Sequence, residues 1–211
     1  MAQKKMDYSL YLVTDRRWLG NRTLWEVVEE AIIGGATLVQ LREKEISSRD
    51  CFEIAQRVKQ VADRYGVPLI INDRIDIALA SGADGVHVGP EDLSVRTARQ
   101  LMGAGKIIGA SASSVDEAVL FQAQGADYLG VGAMFPTATK EGTEQVGLAD
   151  LRAIKAAVRV PVVAIGGINA ENAGPVMETG VDGVAVVSAI MARADIREAA
   201  RHLSALVKRA R

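Results

Sequence analysis

Short apolar runs alternate with longer amphipathic segments from one end of the chain to the other. The runs fall at residues 9–14, 37–41, 68–71, 85–88, 107–110, 128–131, 161–165 and 183–187; they are rich in Val, Ile, Leu or Tyr and apolar in phase with both faces. A parallel strand covered by helices reads this way, because neither face meets water. Between the runs, residues 25–33, 49–65, 115–124, 148–158 and 196–207 carry apolar side chains at helical spacing, and 75–80, 95–102 and 170–178 predict shorter helices. Ser47 or Ser48, Ser114 and Asn169 stand where an N-cap is needed, since a short side-chain oxygen can accept from a free first-turn amide.

One junction recurs, as Gly35-Ala36-Thr37, Gly82-Ala83-Asp84, Gly125-Ala126-Asp127 and Gly180-Val181-Asp182. In each, a glycine can take the left-handed cap of an ending helix, and a strand follows within a few residues. Ordinary helix-to-strand punctuation accounts for the spacing; the count carries more. Eight strand–helix units of roughly 26 residues use the whole chain, which predicts an α/β protein with a single domain over 1–211, a compact (β/α)8 TIM barrel rather than a five- or six-stranded open sheet.

In such a barrel the chemistry sits at the carboxyl ends of the strands and in the loops that follow. Strand 2 ends Gln40-Leu41-Arg42-Glu43-Lys44, and period 2 puts Gln40, Arg42 and Lys44 on one face. A convergent Arg and Lys at the mouth suit a phosphate group, the Arg as a bidentate donor and the Lys as a point charge; a surface ladder of long side chains is the plainer account. Strand 3 ends Asn72-Asp73, and Asp92 follows strand 4. Each Asp suits a helix N-cap, Asp73 before Ile75 and Asp92 before Ser94. Together, beside the two cations, they also suit Mg2+, which takes one or two carboxylates plus substrate oxygens and water. His87, inside strand 4, reads as structural. Strand 5 leads to Ser111. Strand 6 leads into 136–147, a segment of small hydroxyl residues with Lys140 and few apolar anchors, which reads as a lid able to bind anions. Gly166-Gly167 after strand 7 and Ser188 after strand 8 match the usual barrel phosphate pocket, where glycine lets the backbone approach an oxyanion. The mouth therefore predicts two anion sites, one cationic and metal-assisted, the other a backbone cup, which fits one diphosphate and one monophosphate substrate.

Composition narrows the partners. Lys and Arg number 25 against 26 Asp and Glu, for a net charge of -1, so the surplus of positive charge that nucleic acid requires is missing. The chain has one cysteine, Cys51, and two histidines, His87 and His202, too few for a Cys/His zinc cage or an intrachain disulfide. No apolar core of signal-peptide length follows the basic start, and no run approaches the roughly 18 apolar residues of a membrane span, so the expected localisation is cytoplasmic, with no membrane partner. Barrel outer faces pair in many ways, so a homo-oligomer is compatible with the sequence.

Along nearly its full length the chain resembles the thiamine phosphate synthase (thiamine-phosphate pyrophosphorylase) family. The resemblance is carried by Tyr11-Leu12-Val13-Thr14-Asp15, Gln40-Leu41-Arg42-Glu43-Lys44, Ile71-Asn72-Asp73 and Gly85-Val86-His87-Val88-Gly89 with Glu91-Asp92. Further on it is carried by Ser111, Pro136-Thr137-Ala138-Thr139-Lys140, Gly166-Gly167-Ile168 and Val187-Ser188-Ala189-Ile190. It implies a transferase that condenses hydroxymethylpyrimidine diphosphate with thiazole phosphate by a dissociative, Mg2+-assisted substitution. By the same resemblance Gln40, Arg42, Lys44, Asn72 and Lys140 contact the pyrimidine diphosphate and Ser111 the pyrimidine, with Arg42, Lys44, Lys140 and Ser111 carrying the chemistry. Asp73 and Asp92 hold Mg2+, and Thr137, Thr139, Gly167, Val187 and Ser188 bind the thiazole phosphate. Two positions depart from the family pattern: Pro90 stands where many relatives have Gln, and Ser113 where relatives often have His. The related thiazole tautomerases use a His there, so its absence argues against that activity. A non-catalytic thiazole phosphate sensor would need the cup but neither the Asp pair nor Lys140.

Overall fold

The computed structural model describes residues 6–137 and 145–210. Eight parallel strands, β1 (Leu10–Val13), β2 (Leu38–Leu41), β3 (Leu69–Asn72), β4 (Gly85–Val88), β5 (Ile107–Ala112), β6 (Tyr128–Val131), β7 (Val162–Ile165) and β8 (Gly183–Val186), close into one barrel in chain order. Closure runs through β1 against β8, with Leu10 opposite Val184. Around it lie α1 (Leu24–Ile33), α2 (Ser48–Tyr65), α3 (Ile75–Ser81), α4 (Val95–Met102), α5 (Val115–Gln124), α6 (Leu148–Ala157), α7 (Ala173–Met177), α8 (Ser188–Met191) and α9 (Ile196–Arg209). Every residue of β1, β2, β4, β6 and β8 is buried, as their apolar runs require: one face fills the barrel and the other meets the helices. Among the described residues no helix is long and apolar enough to cross a membrane.

α2, α4, α5 and α9 each begin on a side-chain cap. Ser47, not Ser48, caps α2, its Oγ accepting from the Asp50 amide at 3.1 Å, and Ser114 caps α5. The helix expected at 170–178 is shorter and starts three residues later. Asn169 does not cap it; its amide donates to Asn172 Oδ1 at 2.8 Å while its own Oδ1 accepts from the Glu171 amide at 2.8 Å. These local bonds hold 169–172 in a turn and pass the N-cap position to Asn172.

The recurring junction does more than punctuate. All four of its glycines have positive φ, as a left-handed cap needs. The polar residue two positions on then ties neighbouring strands at the barrel's amino end. Thr37 Oγ1 accepts from the Leu10 amide at 3.1 Å and Asp84 Oδ2 from Leu69 at 2.8 Å. Asp127 Oδ2 accepts from Ile108 at 2.7 Å and Asp182 Oδ2 from Val162 at 2.8 Å. Each bond joins an odd-numbered strand to the even-numbered strand after it, so the barrel is four repeats of one two-strand unit, with the mouth left at the opposite end.

Candidate active site

At the carboxyl ends of the strands a cavity of about 560 Å3 opens. Gln40, Arg42, Lys44, Asn72, Asp73, Asp92, Ser111, Thr137, Gly167, Val187 and Ser188 all line it, so the strand ends bring these candidates to one place. Thr139, Lys140 and the tip of the expected lid lie outside the described residues. The return limb of that segment is anchored: Val146 is buried and its amide donates to the Ala133 carbonyl at 2.9 Å.

The β2–β4 side is charged. The strand geometry of β2 continues past its end because the Thr14 amide donates to the Gln40 carbonyl (2.9 Å) and the Arg42 amide to Thr14 Oγ1 (3.0 Å). Alternation therefore holds. Arg42 and Lys44 face the cavity, while Glu43 turns away, buried, to meet Arg16 at 2.7 Å. Among the described residues the Arg42 guanidinium has neither a hydrogen bond nor an ion pair, which leaves its planar donor edge for a ligand. Lys44 pairs with Asp73. Neither acid caps a helix. Arg74 holds the N-cap position of α3, and Ser94 caps α4 by accepting from the Thr97 amide at 3.1 Å. Asp73 instead adopts a left-handed backbone, φ 62°, and Asp92 Oδ2 accepts from the Gly89 amide at 2.7 Å. Burial, and then the Asp73 carboxyl beside it, push the Asp92 carboxyl above the usual carboxylate range. The Asp92 carboxyl and the Asp73 carboxyl that helps to raise it, next to Arg42 and Lys44, form a donor set that fits Mg2+. Among the described residues no group of three or more His, Cys, Asp or Glu converges as an all-protein metal cage, so a cation here would draw its remaining ligands from substrate and water.

The β7–β8 side is built from backbone. Gly167 has φ +65°, and a Cβ there would lie 2.7 Å from both Phe135 Cβ and the Pro136 carbonyl oxygen, so neither the conformation nor the space admits a side chain. Asn172 braces this turn, its Nδ2 donating to the Gly167 carbonyl at 3.0 Å. Ser188 opens α8, a four-residue helix directly after β8, whose first amides have no acceptor within the helix. A second cavity of about 380 Å3 adjoins the first through Thr137, Gly167, Ile168 and Ser188 and is also lined by Asn169 and Arg193.

Three further polar side chains face the barrel interior. His87 bonds Tyr128 Oη through Nδ1 (2.9 Å) and Ser111 Oγ through Nε2 (3.0 Å), and Tyr11 Oη lies 2.8 Å from Tyr128 Oη. Their polar tips sit within apolar runs, so composition hid them; the available signal was their position in phase with Gln40 and Ser111 on neighbouring strands. Cys51 is buried in α2, and burial pushes its thiol up, away from nucleophilic character.

A closed (β/α)8 barrel whose charged pocket and glycine-built turns share one mouth defines a TIM-barrel protein with its site at the carboxyl ends of the strands. The family model for thiamine monophosphate synthase matches residues 10–190. The thiamine-phosphate synthase of Clostridium acetobutylicum is 53% identical over 98% of each chain, and that of Ruminiclostridium cellulolyticum 55% identical over 95% of this chain and 96% of its own. The solved thiamine phosphate pyrophosphorylase of Pyrococcus furiosus superposes with a TM-score of 0.89 at 43% identity, over 97% of this chain and 98% of its own. A 3-hexulose-6-phosphate synthase, 20% identical, shares the fold alone, at a TM-score of 0.68 over 94% of this chain and 99% of its own. The chain belongs to the thiamine monophosphate synthase family and is a transferase of that type.

Proposed function

We propose that the enzyme condenses hydroxymethylpyrimidine diphosphate with thiazole phosphate to give thiamine phosphate and diphosphate, by a dissociative substitution assisted by Mg2+. The division of one mouth into two unlike anion sites carries this reading. The bond from the pyrimidinyl methylene to the diphosphate oxygen breaks, and its electron pair leaves with diphosphate. The thiazole nitrogen lone pair then closes a new bond to the methylene carbon. Arg42 and Lys44 face the group on which negative charge builds as the bond breaks, so their attraction strengthens along the reaction. Asp73 and Asp92 would hold Mg2+, which when bound supplies further neutralisation of the diphosphate. The cup at Gly167 and Ser188, with Thr137 and Val187 beside it, fixes the thiazole phosphate, whose charge does not change during the step. Gln40, Asn72 and Ser111 orient the pyrimidine, and the resemblance adds Lys140 and Thr139. A tautomerase reading is weaker: the Ser113 hydroxyl, standing where a tautomerase carries His, donates to Glu117 at 2.9 Å.

The test combines both substrates with Mg2+ or with excess chelator. Thiamine phosphate and diphosphate should form in equal amounts, and only with the metal. No product with both substrates and metal present overturns the substrate assignment; product unaffected by chelator overturns the metal.

A further inference from the structure

We propose that one hydrogen-bond chain through Tyr11, Tyr128 and His87 fixes the donor–acceptor polarity of Gln40 and Ser111, and so selects an amino-substituted pyrimidine over its oxo counterpart. This rests on the substrate reading above, which makes Gln40 and Ser111 the polar neighbours of the ring.

The chain crosses the barrel interior through five strands. Gln40 Nε2 donates to Tyr11 Oη at 2.8 Å, Tyr11 Oη lies 2.8 Å from Tyr128 Oη, Tyr128 Oη 2.9 Å from His87 Nδ1, and His87 Nε2 3.0 Å from Ser111 Oγ. With Gln40 Nε2 as donor at the first link, the proton count of each group sets the direction of the rest. Burial pushes both phenols far above their ordinary range, so each keeps its single proton. Tyr11 receives from Gln40 and therefore gives its own proton to Tyr128. Tyr128, having received one, gives its own to His87 Nδ1. A ring nitrogen that accepts carries no proton, so the imidazole proton sits on Nε2 and is donated to Ser111 Oγ. The Ser111 hydroxyl proton is then free to point into the cavity. At the other end Nε2 of Gln40 is committed to the tyrosine hydroxyls of Tyr11 and Tyr128, and among the described residues no hydrogen bond to Oε1 is formed.

The cavity thus offers an acceptor at Gln40 and a donor at Ser111. An aminopyrimidine answers both, with an exocyclic N–H for the first and a ring nitrogen for the second. An exocyclic oxygen would set its lone pairs against Oε1. Gln40 cannot adapt by turning over alone: Oε1 would then need the Tyr11 proton, and Tyr128 and the His87 tautomer would have to reverse with it. A chain that only satisfied buried groups would end on protein at both sides; this one ends on two cavity-lining side chains. Room for it is built in. A Cβ at Gly109 would lie 2.2 Å from Tyr128 Cζ, and one at Gly130 3.1 Å from His87 Cε1. His87 and Tyr128 are on this reading positioning residues that act through Ser111 and Gln40.

Two measurements test it. The chain holds only two histidines, and His202 is exposed, so 15N NMR of the ligand-free protein reads His87 cleanly. The expected state is the tautomer protonated at Nε2 with Nδ1 bare; a proton on Nδ1 overturns the proposal. Second, kcat/KM is compared for the amino- and oxo-pyrimidine diphosphates in the wild type and in Tyr128→Phe, which cuts the chain at its centre. The wild type should favour the amino ring, and the variant should narrow that ratio by roughly tenfold, mainly by accepting the oxo ring better. A ratio unchanged by the cut overturns the proposal. Should the variant not fold, the tautomer in the wild type still decides. A wild type that uses neither ring refutes the substrate reading instead, which the tautomer measurement does not depend on.

Discussion

The aspartates at the amino end of this barrel and Asp92 at its mouth live in opposite surroundings. At the amino end Asp84, Asp127 and Asp182 each accept a strand amide and meet a cation, Lys59 at 3.4 Å, Arg99, and Lys155 at 2.6 Å respectively. At the mouth burial and the neighbouring Asp73 carboxyl raise the cost of ionising Asp92, which accepts from the Gly89 amide, while Lys44 pairs with Asp73. An acid whose partners are built into the fold stabilises it. An acid set beside another acid is poorly compensated until a ligand supplies positive charge. On the proposed function, the barrel separates stability from catalysis by height along its axis.

Replacing one member of each set should break that comparison open. The largest effect is expected for Asp92→Ala, which should lower kcat about 10²–10³-fold with a smaller change in KM, because it removes an interaction that grows as diphosphate leaves. Wild-type turnover and Mg2+ dependence in that variant would reduce Asp92 to a former of the Gly89 turn. Next comes the backbone-built side of the mouth. The thiazole alcohol should bind at least about 10²-fold more weakly than its phosphate, since several charge-assisted hydrogen bonds of roughly 1.5–3 kcal/mol each are forfeited. Calorimetry giving equal affinities would remove the cup.

At the amino end, Asp182→Ala should cost about 1–3 kcal/mol of unfolding free energy by stranding the Val162 amide, with kcat unchanged. A fall in kcat at intact stability would show that the two ends are not separable. The smallest effect sharpens the contrast. Asp92 has a folded-state pKa above its unfolded value, so its contribution favours the fold when the carboxyl is protonated and is lost as pH rises through the folded pKa. Asp92→Asn should therefore raise the thermal midpoint of the metal-free protein at neutral pH. A domain of this size moves about 2–4 °C per kcal/mol. The gap from wild type should close as acid protonates the wild-type carboxyl; a gap that stays constant with pH would remove Asp73 and burial as its cause.

Much of this was legible in the chain. Apolar runs on both faces predict parallel strands and their count predicts closure, because strand burial acts on each run by itself. The period-2 face of Gln40, Arg42 and Lys44 is likewise a local property of β2. What went unread depends on long-range partners. Asn169 reads as a cap until the turn after Gly167 draws it into local bonds with Glu171 and Asn172. Asp73 and Asp92 looked like helix caps as readily as metal ligands.

Composition and periodicity by themselves determined the number of strands, their parallel burial and which strand ends carry charge, since each follows from neighbours within a few residues. Only the tertiary structure decided that three Asp residues bond strand amides while two crowd each other. It alone joined Tyr11, Gln40, His87, Ser111 and Tyr128 into one chain. The physical reason is that a hydrogen bond is set by distances of about 3 Å between groups, and closing the barrel brings together residues as far apart in sequence as Tyr11 and Tyr128.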